Sequence, residues 1–428
     1  MKSPEEILSE LIKIKSVNPP GGELEVALYV ERLLKEEGVE GELFISSKGR
    51  GSFIAEVGEG ERSLLLLSHT DVVPAGEGWD FDPFGGEIRD GYVRGRGAID
   101  CKGLLAAQLH AFLELSKEKL GGRVLLAATC DEERGGGEGV VRLLERFPEK
   151  FQVDFVLTEG AEGPIRLEEG EVHFVQVGEK GSAWTTLRTR GLSCHGSVPT
   201  LGENAVLKMV EVIRRVSSYS PAVQLTEEVR ELLTELLRLQ GAVEEVKEEK
   251  VDRLLERLNL GEFAESLRAL TRMTLSPNVI RGGEKVNVVP DSCQLELDVR
   301  ILPGQDELTV REKLREVVGE EVEVEVSHFH SPSLSPRKSL AFEVIKESIQ
   351  KVTREVVVLP YLSPGATDSR HFRERGIPSY GISPLFEYEP SLWKSVHGRN
   401  ERISVGSLRK CSQCVKEVVL RYLGRSQW

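Results

Sequence analysis

The sequence predicts an α/β protein, a larger domain with a mixed sheet flanked by helices, interrupted by an inserted α+β unit. Three observations carry that reading. Between residues 53 and 159, apolar runs too short for helices alternate with amphipathic stretches, the βαβ habit of a sheet covered on both faces. From about Glu179 the pattern changes to half-buried strands and separate helices, as in 321–326, where Glu and Val alternate. After about residue 333 the first pattern returns. The expected division is therefore 1–178 and 333–428 for the larger domain and 179–332 for the inserted one.

Composition bounds the function. A chain of 428 residues is long enough for two or three domains with a large core. Hydrophobic residues at 39% and charged residues at 29% describe a soluble globular protein, and a formal net charge of -14 argues against a nucleic-acid or anionic-membrane binder. An anionic substrate held by a few local cations stays open. The first residues carry Ile7, Leu8, Leu11 and Ile12 at helical spacing among charges, an amphipathic helix and not a signal peptide. No apolar run approaches a membrane span, so the reading is a cytoplasmic protein. Six cysteines suit that compartment as reduced thiols. Cys411 and Cys414 form a CxxC with no second pair to complete a zinc site, and so read as packing.

In chain order, the Asn18-Pro-Pro-Gly-Gly22 break separates the first helix from a second that stops at Gly38. Strands follow at 53–57 and 64–67, the latter apolar enough to be buried on both faces. A Gly- and Pro-rich stretch holds a short hairpin at Asp90-Gly91. A helix at 103–115, a strand at 123–129 and a strand at 154–157 complete the first part. The inserted unit has strands at 182–189, 292–299 and 321–326 and helices at 203–215 and 307–318. Within it, 226–272 is a charged, leucine-bearing helical insertion. The last part has a helix at 340–352, strands at 355–359 and 379–382, and a final helix.

The chemistry collects at strand ends, where open α/β sheets place it. The 64–67 strand runs into His69-Thr-Asp71, whose His and Asp point the same way, so Asp71 is placed to orient the ring of a ligating His69. Asp100 precedes a helix, Glu132 and Glu133 follow the 123–129 strand, Glu159 follows the 154–157 strand, and His397 precedes the final helix. Individually these have bland readings: an HxD pair is weak, Asp100 suits a helix cap, and Asp-Glu-Glu-Arg suits a solvated turn. Glu132 and Glu133 are adjacent and face different ways, so one carboxylate can hold a metal while the other reaches a water. The glycines 135–137 lack the Gly-Lys-Ser/Thr of a phosphate loop. Together, two histidines and several carboxylates are ligands for two borderline cations sharing a carboxylate, zinc by default with cobalt or manganese possible. A dimetal phosphoesterase is disfavoured because the carboxylates would repel phosphate. A non-catalytic metal- or peptide-binding protein remains the alternative. Of the other histidines, His110 and His173 read as packing, His328 and His330 as a solvated strand end without an acidic partner, and His371 as a neighbour of the site.

The segments HTDVVP, GRGAIDCKG, CDEE, TEG, SCHGSVP, KVNVVPD with DVR, GATDSR and VHGRNE follow the order and spacing of the M20 metallopeptidase family, which the chain resembles over nearly its whole length. That family includes aminoacylases, acetylornithine deacetylases, succinyl-diaminopimelate desuccinylases and glutamate carboxypeptidases. The resemblance implies a zinc-exopeptidase-like catalytic domain with an inserted lid that makes a homodimer. It implies His69, Asp100 and Glu159 on one zinc and Asp100, Glu133 and His397 on the other, with Glu132 the general base beside a metal-held hydroxide. His195 of the lid would reach the partner subunit's site, and Asn287, Arg300, Lys180, Gly365 and Thr367 would hold a substrate carboxylate. The substrate would be a small amide: an N-acyl amino acid, a succinyl- or acetyl-diamino acid, or a short peptide. A cis peptide between Asp100 and Cys101 is also implied. Cys101 and Cys130 depart from the family's usual residues without removing a ligand, and 226–272 lies outside its common pattern.

Overall fold

The computed structural model describes residues 1–424. Its centre is the strand Ser63–His69, buried along its whole length and paired in parallel with Arg123–Thr129 on one side and Phe155–Thr158 on the other. Because side chains alternate across a strand, Leu64 and Leu66 enter one apolar cluster and Leu65 and Leu67 the other. That two-sided burial is why the run contains no polar residue until Ser68. The sheet is mixed and ten-stranded. Gly41–Ser47 and Arg50–Val57 close one edge in antiparallel pairing, while Gly170–Glu179 gathers Ile165–Leu167, Ser333–Leu334 and, in parallel, Val356–Ser363 at the other.

A second sheet, antiparallel and four-stranded, runs in the order Thr274–Gly282, Ser292–Ile301, Gly181–Arg190, Glu323–His330. Helices Ala205–Ser218 and Glu307–Val318 supply Met209, Val212, Val310 and Leu314 to its own apolar cluster. A small third sheet joins the Glu87–Arg89 and Tyr92–Arg94 hairpin to Arg402–Ser404. That pairing carries the segment holding His397 to the loop that holds Asp100, and Val405–Leu423 then packs on as the last helix.

The helical insertion forms Glu227–Arg238, Val251–Leu258 and Glu262–Ala269. It sits within the inserted stretch of sequence, yet its leucines, among them Leu232, Leu236, Leu254 and Leu258, join the core cluster of the larger unit. A leucine stripe must be covered by some apolar face. The four-stranded sheet already has its face filled by two helices, and the larger sheet offers the free one. Among the described residues no helix is long and apolar enough to cross a membrane.

Candidate metal centre and active site

His69 ends the central strand with its Nδ1 3.0 Å from the carbonyl oxygen of Asp71 and 3.5 Å from that residue's carboxylate. Donation from Nδ1 to the carbonyl leaves the Nε2 lone pair free for a cation, the tautomer that a ligating histidine needs. Nε2 lies 2.9 Å from Asp100 Oδ1 and 3.4 Å from Glu159 Oε1. The other oxygen of the same aspartate, Oδ2, lies 2.9 Å from His397 Nε2, which is also 3.2 Å from Glu133 Oε1. One carboxylate thus stands between two imidazoles, each with a further glutamate. Two atoms bound tetrahedrally to one zinc-sized ion lie about 3.3 Å apart. The donor atoms converge at that spacing, and nitrogen with oxygen is the donor set for zinc, cobalt or manganese. Cys101 Sγ also lies near His69 and Glu159, but burial pushes its thiol well up and keeps it neutral.

The charges of this cluster favour bound cations. Burial raises Glu159 to about 7, with the negative charges of Asp100 and Glu133 adding to it and His69 opposing. Burial also raises Glu132 well above the carboxylate range, His69 opposes, and Glu159, Asp368 and Glu133 push it further. Burial acts the same way on Asp100, but the bonds from His397 and His69 outweigh it and hold the carboxyl low. Hydrogen bonds to Asp100 and Glu133 lift His397 to about 10. Buried carboxylates in excess of their cationic partners are an unneutralised charge that divalent cations balance.

Two buried networks aim these groups. Glu401, fully buried, accepts from the amides of Gly97, Ile99 and Asp100 at 3.0, 2.8 and 3.1 Å and from Arg96 at 2.7 Å, so the loop carrying Asp100 is built around it. On the other side, the carboxylate of Asp71 accepts from the amides of Glu132 and Glu133 at 3.2 and 3.1 Å and from Asn18 Nδ2 at 2.8 Å. Arg50 holds Glu23, Asp131 and Asn18 at 2.9, 2.6 and 2.8 Å behind that turn. Gly136 has φ 73°, and a Cβ there would stand 2.4 Å from Asp368 Oδ1, which is why glycines crowd this turn without a phosphate to bind. The bond between Asp100 and Cys101 is cis. Glu401, Arg50, Asn18 and Asp131 carry no signal of their own in the sequence beyond adjacency to a motif or a turn.

The remaining site residues read from sequence are placed differently. His195 is exposed on the four-stranded unit, its Nδ1 2.7 Å from Ser197 Oγ and its backbone bridged to Val288 beside Asn287, which is also exposed. Arg300 is paired through two bonds with Asp298 at 2.8 and 3.1 Å. Lys180 is buried with its Nζ donating to Ala269 O at 2.7 Å, Arg272 O at 2.8 Å and Thr274 Oγ1 at 3.3 Å, so it ties the end of the insertion to the sheet. Thr367 donates its amide and hydroxyl to Glu179, each at 3.0 Å, and the Gly365 amide donates to Ser363 Oγ at 3.2 Å. Each of these four residues has a hydrogen-bond partner within the chain. His371 Nε2 lies 3.1 Å from the Gly135 carbonyl, behind the acidic turn, and His110 and His173 bond to Ser412 and Glu171. His328 and His330 stack edge to face at 4.3 Å. All six cysteines are free thiols.

Comparison with known proteins finds relatives along most of the chain. The chain is 29% identical over 359 residues to the human N-fatty-acyl-amino acid synthase/hydrolase PM20D1, covering 80% of this chain and 70% of that one. It is 27% identical over 374 residues to a probable succinyl-diaminopimelate desuccinylase of Staphylococcus epidermidis, covering 86% and 85%. An M20 family metallo-carboxypeptidase from Sulfolobus solfataricus shares the fold with a TM-score of 0.74 at 24% identity, over 99% of both chains. The model of peptidase family M20/M25/M40 matches residues 65–421, and the chain therefore belongs to that family of hydrolases acting on amide or peptide bonds.

Proposed function

We propose that the chain hydrolyses the amide bond of a small carboxylate-bearing substrate, an N-acyl amino acid, a succinyl- or acetyl-diamino acid or a short peptide, with two divalent cations, zinc in the first instance. The observation that carries this reading is Asp100, shared between His69 and His397 with a glutamate on each side and Glu132 half-buried beside them. His69, Asp100 and Glu159 would hold one cation, and Asp100, Glu133 and His397 the other. Bound there, the cations would acidify a water and polarise the scissile carbonyl.

The chain's own residues do the rest. Glu132, half-buried on the turn beside the ligand Glu133, accepts the proton of the attacking water and delivers it to the departing nitrogen. Asp71 fixes Glu132 and Glu133 by their amides, so base and ligand are set by one anchor. His195 and Asn287 sit on an exposed surface with Leu192, Val198, Leu201 and Ile280, an apolar area that suits a lid-to-lid homodimer in which His195 serves the partner subunit's site. Arg300, a quarter exposed, would exchange Asp298 for a substrate carboxylate, with Asn287, Lys180, Gly365 and Thr367 completing the carboxylate-binding set. The free thiols suit the cytoplasm.

Glu132→Gln tests the reading. The variant should keep two metal equivalents per chain by elemental analysis and lose about 10²–10⁴-fold in kcat. Retained turnover would remove Glu132 from its role. A metal-replete wild-type chain inert towards a panel of N-acyl amino acids and dipeptides would favour the non-catalytic binding alternative.

A further inference from the structure

A cavity of about 430 Å³ lies between the helical insertion and two loops of the larger unit. It has no part in the chemistry above. Its walls come from residues 162–166, 259–263 and 385–394, so the insertion, which lies outside the catalytic cluster, supplies one side. Ile165, Leu260, Phe263, Leu385, Tyr388 and Pro390 make the lining largely apolar, and the volume is that of a small-molecule site.

Both loops lead directly into the catalytic cluster. Glu162 follows Glu159 by three residues, and Lys394 precedes His397 by three. An extended chain spans at most ~3.6 Å per residue, so each lining residue lies within about 11 Å of its ligand, backbone to backbone. Four glutamates line it: Glu162, 7% exposed, accepts from the Tyr361 hydroxyl at 2.9 Å, Glu389 accepts from the Tyr92 hydroxyl at 2.5 Å, Glu387 pairs with Lys410 at 3.1 Å, and Glu262 is exposed. Burial lifts Glu162 to about 7, and the other acids are engaged by these partners or lie at the rim. At the rim Lys394 pairs with Glu262 at 2.5 Å, holding the insertion against the loop that leads to His397, and Arg166 covers the ring of Tyr388 at 5.0 Å. A lining with apolar side chains among charged ones, on loops that run within three residues of Glu159 and His397, suits the apolar part of a substrate.

We propose that this cavity receives an apolar substituent of the amide substrate, and that the insertion makes the protein selective for amides bearing an aliphatic or aromatic arm over acetyl or glycyl compounds. The proposal rests on the amide-hydrolase reading. Two substrate series on the metal-loaded full chain separate the possible sources of the arm: N-acyl glycines from acetyl to decanoyl, and N-acetyl amino acids from glycine to leucine and phenylalanine. One series should gain about fourfold in kcat/KM per added methylene, the equivalent of ~0.8 kcal/mol each, until the cavity is full. Leu260→Trp, which fills the space, should collapse the long-to-short ratio towards one, and Tyr388→Ala, which enlarges it, should move the optimum to longer arms. Calorimetry of N-octanoylglycine against N-acetylglycine on the Glu132→Gln chain reads the same selectivity without turnover. Flat series together with equal calorimetric affinities would overturn the cavity's role while leaving the hydrolase reading standing. Absence of any hydrolysis together with octanoylglycine binding that Leu260→Trp abolishes would do the reverse.

Discussion

Glu401 and Asp71 show how a few side chains shape this site through the backbone. Each is a buried carboxylate that gathers amide N–H groups, Glu401 from the loop of Asp100 and Asp71 from the turn of Glu132 and Glu133. A buried acceptor surrounded by donors fixes several backbone positions at once, which side-chain packing alone does less sharply. Glu162 is a different kind of buried acid. Its folded pKa of about 7 exceeds the ordinary 4.5, so the folded chain keeps a proton that the unfolded chain releases between those values. The stability this confers is complete below the lower value and is lost as the pH rises through the higher one. Glu162→Gln stays neutral throughout, and its melting temperature should rise relative to wild type between about pH 5 and about pH 8. A difference independent of pH would contradict the assignment. The ligand candidates His69, Glu133 and Glu159 were legible in the sequence because each follows an apolar run, and Asp100 and His397 because each stands in a motif just before a helix. Glu401 and Arg50 were not, because a buried acid or arginine reached by chain segments from far away looks locally like a surface one.

At the level of elements, spacing of apolar residues predicts helices and buried strands well and says little about what covers them. The leucines of 226–272 read as amphipathic helices, and the structure has three there. Which core they join depends on which sheet face is vacant, a tertiary fact. Edge elements such as Gly41–Ser47 and Thr274–Gly282 escaped the reading, since mixed exposure erases the alternation that marks a half-buried strand. Their partners are clear only once the sheet is assembled. Leu255 is fully buried in the shared core, so Leu255→Ala should cost about 2–5 kcal/mol in denaturant unfolding. Leu308→Ala, at a position 60% exposed, should change stability by no more than about 0.5 kcal/mol. Equal effects would mean that the insertion does not belong to the cooperative core.

For the whole molecule, the mixed α/β class followed from the order of strands and helices and the amide-bond chemistry from the family the motifs resemble, while the proposed association of two chains rests, in the sequence, on that resemblance alone, because it depends on surface shape. The apolar residues left exposed on the four-stranded unit predict a particle of about twice the chain's 47.5 kDa by light scattering. Val279→Asp with Ile280→Asp should dissociate it and lower kcat with metal content unchanged. A fully active monomer would end the role proposed for His195 across the subunit boundary. The third sheet has a further bearing on how the protein comes into being. Since the residues around Arg402–Ser404 must dock beside the hairpin before His397 can face Asp100, a chain folded only up to that segment would have four of its five proposed ligands, His69, Asp100, Glu133 and Glu159, and lack the fifth. Of the two proposed cations, the one that takes His397 would therefore gain its full set of groups only after this docking, while the one held by His69, Asp100 and Glu159 would not depend on it.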